Sequence, residues 1–377
     1  MSESGLALVD ATGPLVVREV DPLTSHRRDE EVRFDLLALD GTPLRELDTV
    51  VDATFDYSVH DTIRSGGTIT VDMPQLIDWH RVHVQPWYSF TDENDGEHEW
   101  PLGVFIPAVP GTDHMGALST AKVELYDKLL ILDQDATEET YTVDVGVVVT
   151  DKVRELIAAV GESGATITES TETLAVAIVW EPNTSRLRII NDLLAAINYF
   201  SLTVDGWGRF HAAPYVPPAA RGVSFTLASG DRSIIAPATS PDADPDPIRH
   251  EADGFHVPNK VVLVATSDGD TPAMVATAVN EDPLSPWSIP SRGRVIVHHE
   301  DGIEATSQAV LDNLAARRLI ELSDVAATWQ VRHAWIPAEL NDVAQLAVEG
   351  VVDAPCVLQK TTFTNGLAVS TFREVTG

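Results

Sequence analysis

Residues Ile178–Val216, IVWEPNTSRLRIINDLLAAINYFSLTVDGWGRFHAAPYV, decide the fold at the centre of the chain. Thr184 and Ser185 stand where a helix begins, because either hydroxyl can accept a hydrogen bond from the free amides of a first turn. Aliphatic residues then recur at helical spacing, which predicts a helix over residues 186–198 with one buried face. The residues on that face are Leu187, Ile190, Leu193, Leu194 and Ile197.

The pattern changes after this helix from helical spacing to strand alternation. Apolar Phe200, Leu202 and Val204 alternate with polar residues, as in a strand with one buried face. Asp205-Gly206 predicts the positive φ of a tight turn, so residues 200–213 are expected to form a hairpin. The stretch therefore predicts an αββ unit, and none of its residues suggests catalysis.

The αββ unit ends a small α/β module that we predict over residues 136–216. An earlier helix is expected at residues 151–160, because Thr150-Asp151 supplies a start signal and Gly161 a stop. The module is expected to be inserted in a chain that is otherwise rich in strands.

Strand patterns dominate on both sides of the module. Residues 32–135 contain several short alternating runs with turn signals, Gly66-Gly67 among them, which predict a small barrel or sandwich. Residues 257–377 carry further strands, an inserted helix at 307–322 and a hairpin turn at Asn365-Gly366. The predicted fold is therefore α+β and β-rich, with two small barrel-like domains, the inserted α/β module and the inserted helix.

Two segments lack these patterns. Residues 1–31 have no clear apolar period and are expected to form an N-terminal arm that a neighbour would order. Residues 217–256 are expected to be a linker and return segment. Within them, Pro241–Pro247 is built from proline, aspartate and one alanine, which favours a stiff, extended chain.

Charge is the strongest signal in the composition. The 377 residues include 58 Asp and Glu against 25 Lys and Arg, a formal net charge of −33. Binding to phosphates or to an anionic membrane needs basic residues, so the sequence argues against both kinds of partner. No stretch of 18 apolar residues occurs and no basic start leads into an apolar run, so we expect neither membrane insertion nor a signal peptide.

Catalytic and metal-binding motifs are incomplete wherever the sequence begins one. His98, His250 and His299 each precede a glutamate, but none has the second histidine four residues on that a zinc-protease helix requires. Asp242–Asp246 has the spacing of a calcium loop only in its first three positions, since Pro247 stands where glycine is needed. We therefore predict no catalytic, cofactor-binding or metal site.

Other reactive side chains have simpler explanations. Cys356, the single cysteine, lies among apolar residues, as a small buried core residue does. Glu138 and Glu139 are adjacent in a polar connector, whereas the carboxylates of a glycosidase act across a cleft from separate elements. The eight tryptophans are scattered in the way of core and corner residues: Trp79, Trp87, Trp100, Trp180, Trp207, Trp287, Trp329 and Trp335.

The central stretch also carries a family resemblance. The run Thr184–Arg221 resembles the middle of minor tail proteins of long-tailed phages that infect actinobacteria, which are similar to the baseplate hub proteins of tailed phages. Further segments extend the resemblance from about Phe34 to the C-terminus: GGTITVDM (66–73), WPLGVFIPAVP (100–110), VELYDKL (123–129), VPNKVVLV (257–264) and NEDPLSPWSIPSRGR (280–294).

This resemblance implies a structural protein of the virion, made in the host cytoplasm and placed as a hub at the phage tail tip. It implies a homotrimeric ring in which two tail-tube-like β-domains per chain continue the sixfold tail tube. The partners would be the distal tail protein, the tape-measure protein and other tip or fibre proteins, and DNA would pass through the lumen without specific binding. The charge of −33 suggests a lumen whose carboxylates repel DNA phosphates. Neither enzymatic activity nor a cofactor is implied.

Two other classes of function remain open. The strand content and the tryptophans also suit a carbohydrate-binding adhesin of the tail tip without a hub role, for which bound sugar would quench tryptophan fluorescence. An enzyme of unfamiliar type is the third class, and a convergent pair of carboxylates in a deep cleft would be its mark.

Overall fold

The computed structural model describes residues 28–375, apart from 73, 75–76, 93–95, 110–112, 116–117, 175, 231–232, 236–247, 252–255, 266–273, 304–307 and 324–327. Most of the predicted arm and the predicted stiff linker at Pro241–Pro247 lie outside these residues. Of the described residues, 47% lie in strands and 17% in helices, so the fold is β-rich as predicted.

The strands of the first part of the chain are β1 Asp29–Ala38, β2 Pro43–Glu46, β3 Val50–Ser58, β4 Ser65–Asp72, β5 Val82–Thr91, β6 Glu97–Pro101, β7 Phe105–Pro107, β8 Asp113–Met115 and β9 Leu118–Asp127. The module follows with α1 Leu129–Gln134, β10 Tyr141–Val143, α2 Val149–Ala159, β11 Ala165–Ile167, β12 Ile178–Trp180, α3 Arg186–Ala196, β13 Thr203–Val204 and β14 Phe210–Ala212.

The last part begins with a 3-10 turn at Pro218–Ala220, β15 Phe225–Ala228 and β16 Ile248–Glu251. Next come β17 Lys260–Ala265, β18 Val275–Val279, α4 Ile289–Arg292, β19 Val297–Ile303 and α5 Gln308–Ser323. The chain ends with β20 Thr328–Ala334, β21 Val343–Val348, β22 Val352–Thr364 and β23 Leu367–Glu374.

One sheet of 15 strands joins the two β-rich parts of the chain. Its main path runs β16-β20-β23-β22-β3-β4-β9-β7-β5-β1-β2, with β21 and β15 branching from β22, β6 from β5 and β8 from β9. Among the described residues, no strand pair connects the two ends of this path. The predicted barrels are therefore not closed by hydrogen bonds, and the two predicted β-domains share a single sheet.

Strand β22 is the element that the two parts share. Its first half, Val352–Val357, pairs antiparallel with β21. Its second half, Lys360–Thr364, pairs antiparallel with β3. The register of β22 against β23 shifts between Leu358 and Lys360, and such bulges bend a strand and increase its twist. One long strand thus contributes to both parts.

The sheet curls around an aromatic core. The ring of Tyr88 on β5 lies 4.7 Å from that of Trp335 and 5.6 Å from that of Phe363 on β22. Four strands separate β5 from β22 along the sheet, so the sheet must bend to bring these rings together. Contacts between aromatic rings therefore connect β5 to β22 across the inside of the curved sheet. A second core lies between the other strands of the sheet, built from Leu227, Trp329, Val331, Leu346, Leu358 and Phe372.

The α/β module has a core of its own in which α1, α2 and α3 pack together. Helix α3 begins as predicted, because the Oγ of Ser185 accepts a hydrogen bond from the amide of Arg188. Helix α2 begins two residues earlier than predicted, at Val149. Thr150 is not its cap: the side chain is buried, and its hydroxyl donates to the carbonyl of Ser170.

The hairpin after α3 differs from the predicted tight turn. Positive φ occurs at Gly208 and not at Gly206. The Oδ1 atom of Asp205 accepts hydrogen bonds from the amides of Trp207 and Arg209, both at 2.9 Å. This side chain organises a longer turn and leaves only two and three residues in the flanking strands β13 and β14. The prediction failed because an aspartate side chain can replace the backbone hydrogen bonds of a two-residue turn.

Gly66 and Gly67 lie inside β4 and are not the predicted turn. A Cβ atom on Gly66 would lie 2.7 Å from the carbonyl oxygen of Leu125, and one on Gly67 would lie 2.3 Å from that of Thr54. The glycines therefore permit close approach of the backbones on both sides. The turn occurs earlier, within residues 59–64.

The strands β18-β17-β19 form a separate three-stranded sheet. Helix α5 covers one of its faces, where Val261 and Leu263 pack against Leu311 and Ala315. The last hairpin of the chain turns as predicted at Asn365-Gly366, with φ values of 50° and 82°.

Candidate functional site

The outer face of the large sheet is a continuous threonine-rich surface. Register and alternation place the same side of six neighbouring strands, β20, β23, β22, β3, β4 and β9, away from the cores. Eight threonines lie on that side: Thr54, Thr68, Thr70, Thr120, Thr328, Thr362, Thr364 and Thr371. Leu367 and Val369 of β23 lie on the same side, beside Thr364 and Thr362. Both parts of the chain therefore contribute to one mainly polar wall.

Charges of both signs accompany these threonines. The face carries the carboxylates of Asp52, Asp56, Asp72 and Glu124 and the cations of Lys122, Lys360, Arg332 and Arg373. Four negative groups thus offset four positive ones. The charge excess of the chain is not concentrated on this face.

Hydrogen bonds connect the wall across the joint between the two parts. The hydroxyls of Thr54 on β3 and Thr364 on β22 lie 3.1 Å apart. The hydroxyl of Thr362 donates to Oδ1 of Asp56 at 2.6 Å. These bonds tie side chains of the first part to those of the last part.

A buried carboxylate holds the junction between the large sheet and the module. Oδ2 of Asp127 accepts hydrogen bonds from the amide and the hydroxyl of Ser65, at 2.7 and 2.9 Å. Oδ1 accepts one from the amide of Leu129, in the first turn of α1, at 2.8 Å. Burial raises the pKa of Asp127 to about 6, although these hydrogen bonds and the charge of Arg64 act in the opposite direction. The side chain fixes where α1 starts relative to β4.

An ion pair reinforces the same junction. Nζ of Lys128 lies 2.5 Å from Oε2 of Glu162, and both side chains are largely buried. Lys128 also lies over the ring of Phe210. Burial, and then the charge of Lys128, lowers the pKa of His83 on β5. These groups connect the sheet to the end of α2 and to β14.

A buried polar chain lies between β20, β23 and β22. Nδ1 of His333 donates to the carbonyl of Ala334 at 2.8 Å, because a carbonyl can only accept. Nε2 therefore accepts from the hydroxyl of Ser370, which in turn accepts from that of Thr361, each at 2.9 Å. Burial lowers the pKa of His333 to about 4, so the ring is neutral at neutral pH.

The histidines singled out in the sequence lie apart from one another. His98 contacts Asp92 at 3.0 Å and stacks near Trp100. His250 stacks on Trp329 at 4.2 Å, and His299 is exposed beside Asp301. In the part of the chain that the structure describes, no three His, Cys, Asp or Glu side chains are grouped so that they could hold a metal ion. The calcium-like run Asp242–Asp246 lies outside the described residues.

The remaining sequence candidates are in ordinary structural settings. Cys356 is buried, and burial raises the pKa of its thiol to about 12. Glu138 and Glu139 are exposed on the connector. Four tryptophans, Trp79, Trp180, Trp329 and Trp335, are buried in cores. Trp207 is the exposed one, 56% accessible at the hairpin tip, with its ring edge-on to that of Trp87 at 5.2 Å.

One open cleft lies between the segment 59–64 and α3. It has a volume of about 250 Å³, and its lining includes Arg64, Asp133, Arg188 and Asn191. Charges of both signs face it. Over the described residues, no helix is long and apolar enough to cross a membrane.

Comparison with known proteins places this architecture. No protein-family profile and no curated protein sequence matches the chain. The fold is similar to that of a tail protein from Neisseria meningitidis MC58, with a TM-score of 0.65, 11% identity, and 91% of this chain and 96% of that chain covered. The chain therefore shares the fold of this tail protein.

Two further solved structures are also similar in fold to this chain. The 43 kDa tail protein of prophage MuSo2 from Shewanella oneidensis has a TM-score of 0.62 at 13% identity, covering 90% of this chain and 98% of that one. A chain of the half-lidded Francisella PdpA-VgrG complex has a TM-score of 0.55 at 7% identity, covering 92% of this chain and 58% of that one. The similarity of fold therefore spans nearly the whole chain.

Sequence reasoning missed the threonine-rich wall. Its signal was present in short alternating runs, such as Thr68 and Thr70 in β4 and Thr362 and Thr364 in β22. Each run by itself indicates only a strand with one solvated face. The wall emerges from the pairing of β22 with β3, which joins residues about 300 positions apart and leaves no local trace.

Proposed function

We propose that this protein is a hub-like minor tail protein at the tip of a phage tail, and that three copies form a ring that continues the tail tube. The observation that carries the proposal is the whole-chain similarity to tail proteins, with 96% and 98% of two such chains covered. The ring would bind the distal tail protein above and tip or fibre proteins below, with the tape-measure protein inside. The proposal includes no enzymatic activity and no cofactor.

The threonine-rich wall supports the proposal because one chain supplies it from both of its β-rich parts. Each part would act as a tube-like, barrel-like unit, so three chains would present six units. In this proposal the wall faces the lumen. Its four carboxylates offset its four cations, so passing DNA would meet no excess of positive charge. The expected strongly acidic lumen does not fit this face, since its charges balance.

The test is the mass of the purified protein in solution, combined with class averages of particles seen end-on. A species of three 40.8 kDa chains, with a central hole and walls of sixfold appearance, is the expected result. A chain that stays monomeric at every concentration would refute the ring. Glycan binding by that monomer, with quenching of tryptophan fluorescence, would favour the adhesin.

A further inference from the structure

The segment between β18 and β19, residues 280–294, is a rigidly built loop. Asn259, which is fully buried, fixes both of its ends. The carbonyl of Asn259 accepts from the amide of Asn280, and its side-chain Nδ2 donates to the carbonyl of Arg294. Its Oδ1 also accepts from the amide of Ile296 at 2.8 Å. A single asparagine thus clamps the loop to β17.

Hydrogen bonds inside the loop fix residues 281–284, which we call the tip. Oδ1 of Asn280 accepts from the amide of Asp282, and Oδ1 of Asp282 accepts from the amide of Leu284 at 2.9 Å. The buried Ser288 caps the short helix α4, which ends at Gly293 in the left-handed conformation. The tip residues have defined positions although solvent surrounds them.

Leu284 is 89% exposed at this tip. Five of the eighteen exposed large apolar side chains of the described residues lie between positions 275 and 297, namely Val275, Val279, Leu284, Val295 and Val297. An exposed leucine by itself is common, but such a concentration within one small unit indicates a binding surface. The hydrogen bond from its amide to Asp282 fixes the backbone of Leu284, and its side chain lies in solvent.

The valines belong to the face of the three-stranded sheet that is opposite to α5. Val261 and Leu263 point toward α5, so the alternating Lys260 and Val262 lie on the opposite face. Val279 and Val297 are both register partners of Lys260 and flank it there. We call this surface, formed by Lys260, Val262, Val264, Val275, Thr277, Val279, Val297 and His299, the valine face.

Charge makes the tip and the valine face complementary. The tip presents Glu281 and Asp282 beside Leu284, and all three are exposed. The valine face presents Lys260, for which the described residues supply no ion-pair partner, at one end of the middle strand β17. A second copy of the chain therefore offers what each surface lacks: an apolar side chain for the valines and carboxylates for the lysine.

We infer that the tip of one copy packs on the valine face of the next copy, and that this contact closes the trimeric ring. The inference rests on the proposed homotrimer. Tip and valine face are different patches, so the contact is heterologous, and such contacts form rings when the rotation closes.

The experiment is analytical ultracentrifugation of the full chain and its variants over a range of concentrations. Leu284→Asp and Val297→Asp each remove one side of the contact. Loss of a buried aliphatic side chain at each of three contacts is expected to weaken trimer formation by at least tenfold. Val145→Asp is the matched control, because Val145 is 62% exposed in the α/β module and outside the contact. Circular dichroism checks that each variant is folded.

Two further readouts separate this contact from a general loss of stability. Lys260→Glu should weaken the trimer, and adding Glu281→Lys to it in the same chain should restore association. A mixture of Leu284→Asp and Val297→Asp chains should form one-to-one pairs, because each chain retains the side that the other lacks.

The outcomes are distinct. A wild-type trimer that persists in both aspartate variants would overturn the inference, leave the ring intact and assign the valine face to a partner other than this chain. A mixture with no species heavier than the separate variants would likewise overturn it. A wild-type chain that never trimerises would overturn the inference together with the proposed ring.

Discussion

Two buried groups, His333 and Asp127, are expected to give the free energy of unfolding opposite dependences on pH. Burial lowers the pKa of His333 to about 4 from an ordinary value of 6.5. Burial raises the pKa of Asp127 to about 6 from 3.8. Stability from His333 is present above pH 6.5 and is lost as the pH falls toward 4. Asp127 has the opposite sign, because its protonated form is favoured in the folded chain and its penalty is relieved as the pH falls below 6.

The two contributions are similar in size. One unit of pKa shift corresponds to about 1.36 kcal/mol. On going from about pH 7 to about pH 4.5, the linkage relation gives a loss of about 2.4 kcal/mol from His333 and a gain of about 1.9 kcal/mol from Asp127. In the wild-type chain the pH-dependent contributions of these two groups nearly cancel. Removing either group by substitution should therefore expose the pH dependence that comes from the other.

Urea unfolding followed by tryptophan fluorescence at both pH values measures this. On acidification, the free energy of unfolding of Asp127→Asn should fall by about 1.9 kcal/mol more than that of the wild type. That of His333→Gln should fall by about 2.4 kcal/mol less than that of the wild type. Each variant is compared with itself at the two pH values, so the cost of the substitution drops out. Asp144→Asn, at an exposed carboxylate of the module, is the control. The reasoning is refuted if both variants follow the wild type.

Other substitutions probe single contacts through the midpoint and free energy of unfolding. Gly67→Ala should cost about 2 kcal/mol of stability or more, because its Cβ would lie 2.3 Å from a backbone oxygen. Gly222→Ala should be nearly neutral, because no atom lies within 4 Å of its Cβ. Equal losses of stability in the two variants would contradict this reasoning. Ser185→Ala should cost about 1 kcal/mol through loss of the α3 cap, and an unchanged stability would contradict the observed hydrogen bond. Lys128→Met should lower the free energy of unfolding by about 3–5 kcal/mol, because it leaves Glu162 buried without its partner. The double variant Lys128→Met with Glu162→Leu should lower it by less. A larger loss in the double variant would contradict the pairing.

The sequence predicted correctly those elements that depend on interactions between residues close together in the chain. The helix α3 was predicted from its cap and its apolar face. Asn365-Gly366 gave the last turn, because consecutive positive φ values suit those two residue types.

Errors arose where a distant element decides the outcome. Gly66 and Gly67 are glycines because Leu125 and Thr54 approach them, and a sequence gives no sign of that contact. The sharing of β22 between β21 and β3 is equally non-local. Strand patterns alone do not show that one strand pairs in both β-rich parts of the chain.

The shared strand β22 has a mechanical consequence. Tension that separates the two halves of the chain would run along the covalent backbone of this strand. A hydrogen-bond ladder pulled along its strands resists with all its bonds at once, whereas a ladder pulled from one end opens bond by bond. The two halves are therefore expected to bear load as a single body.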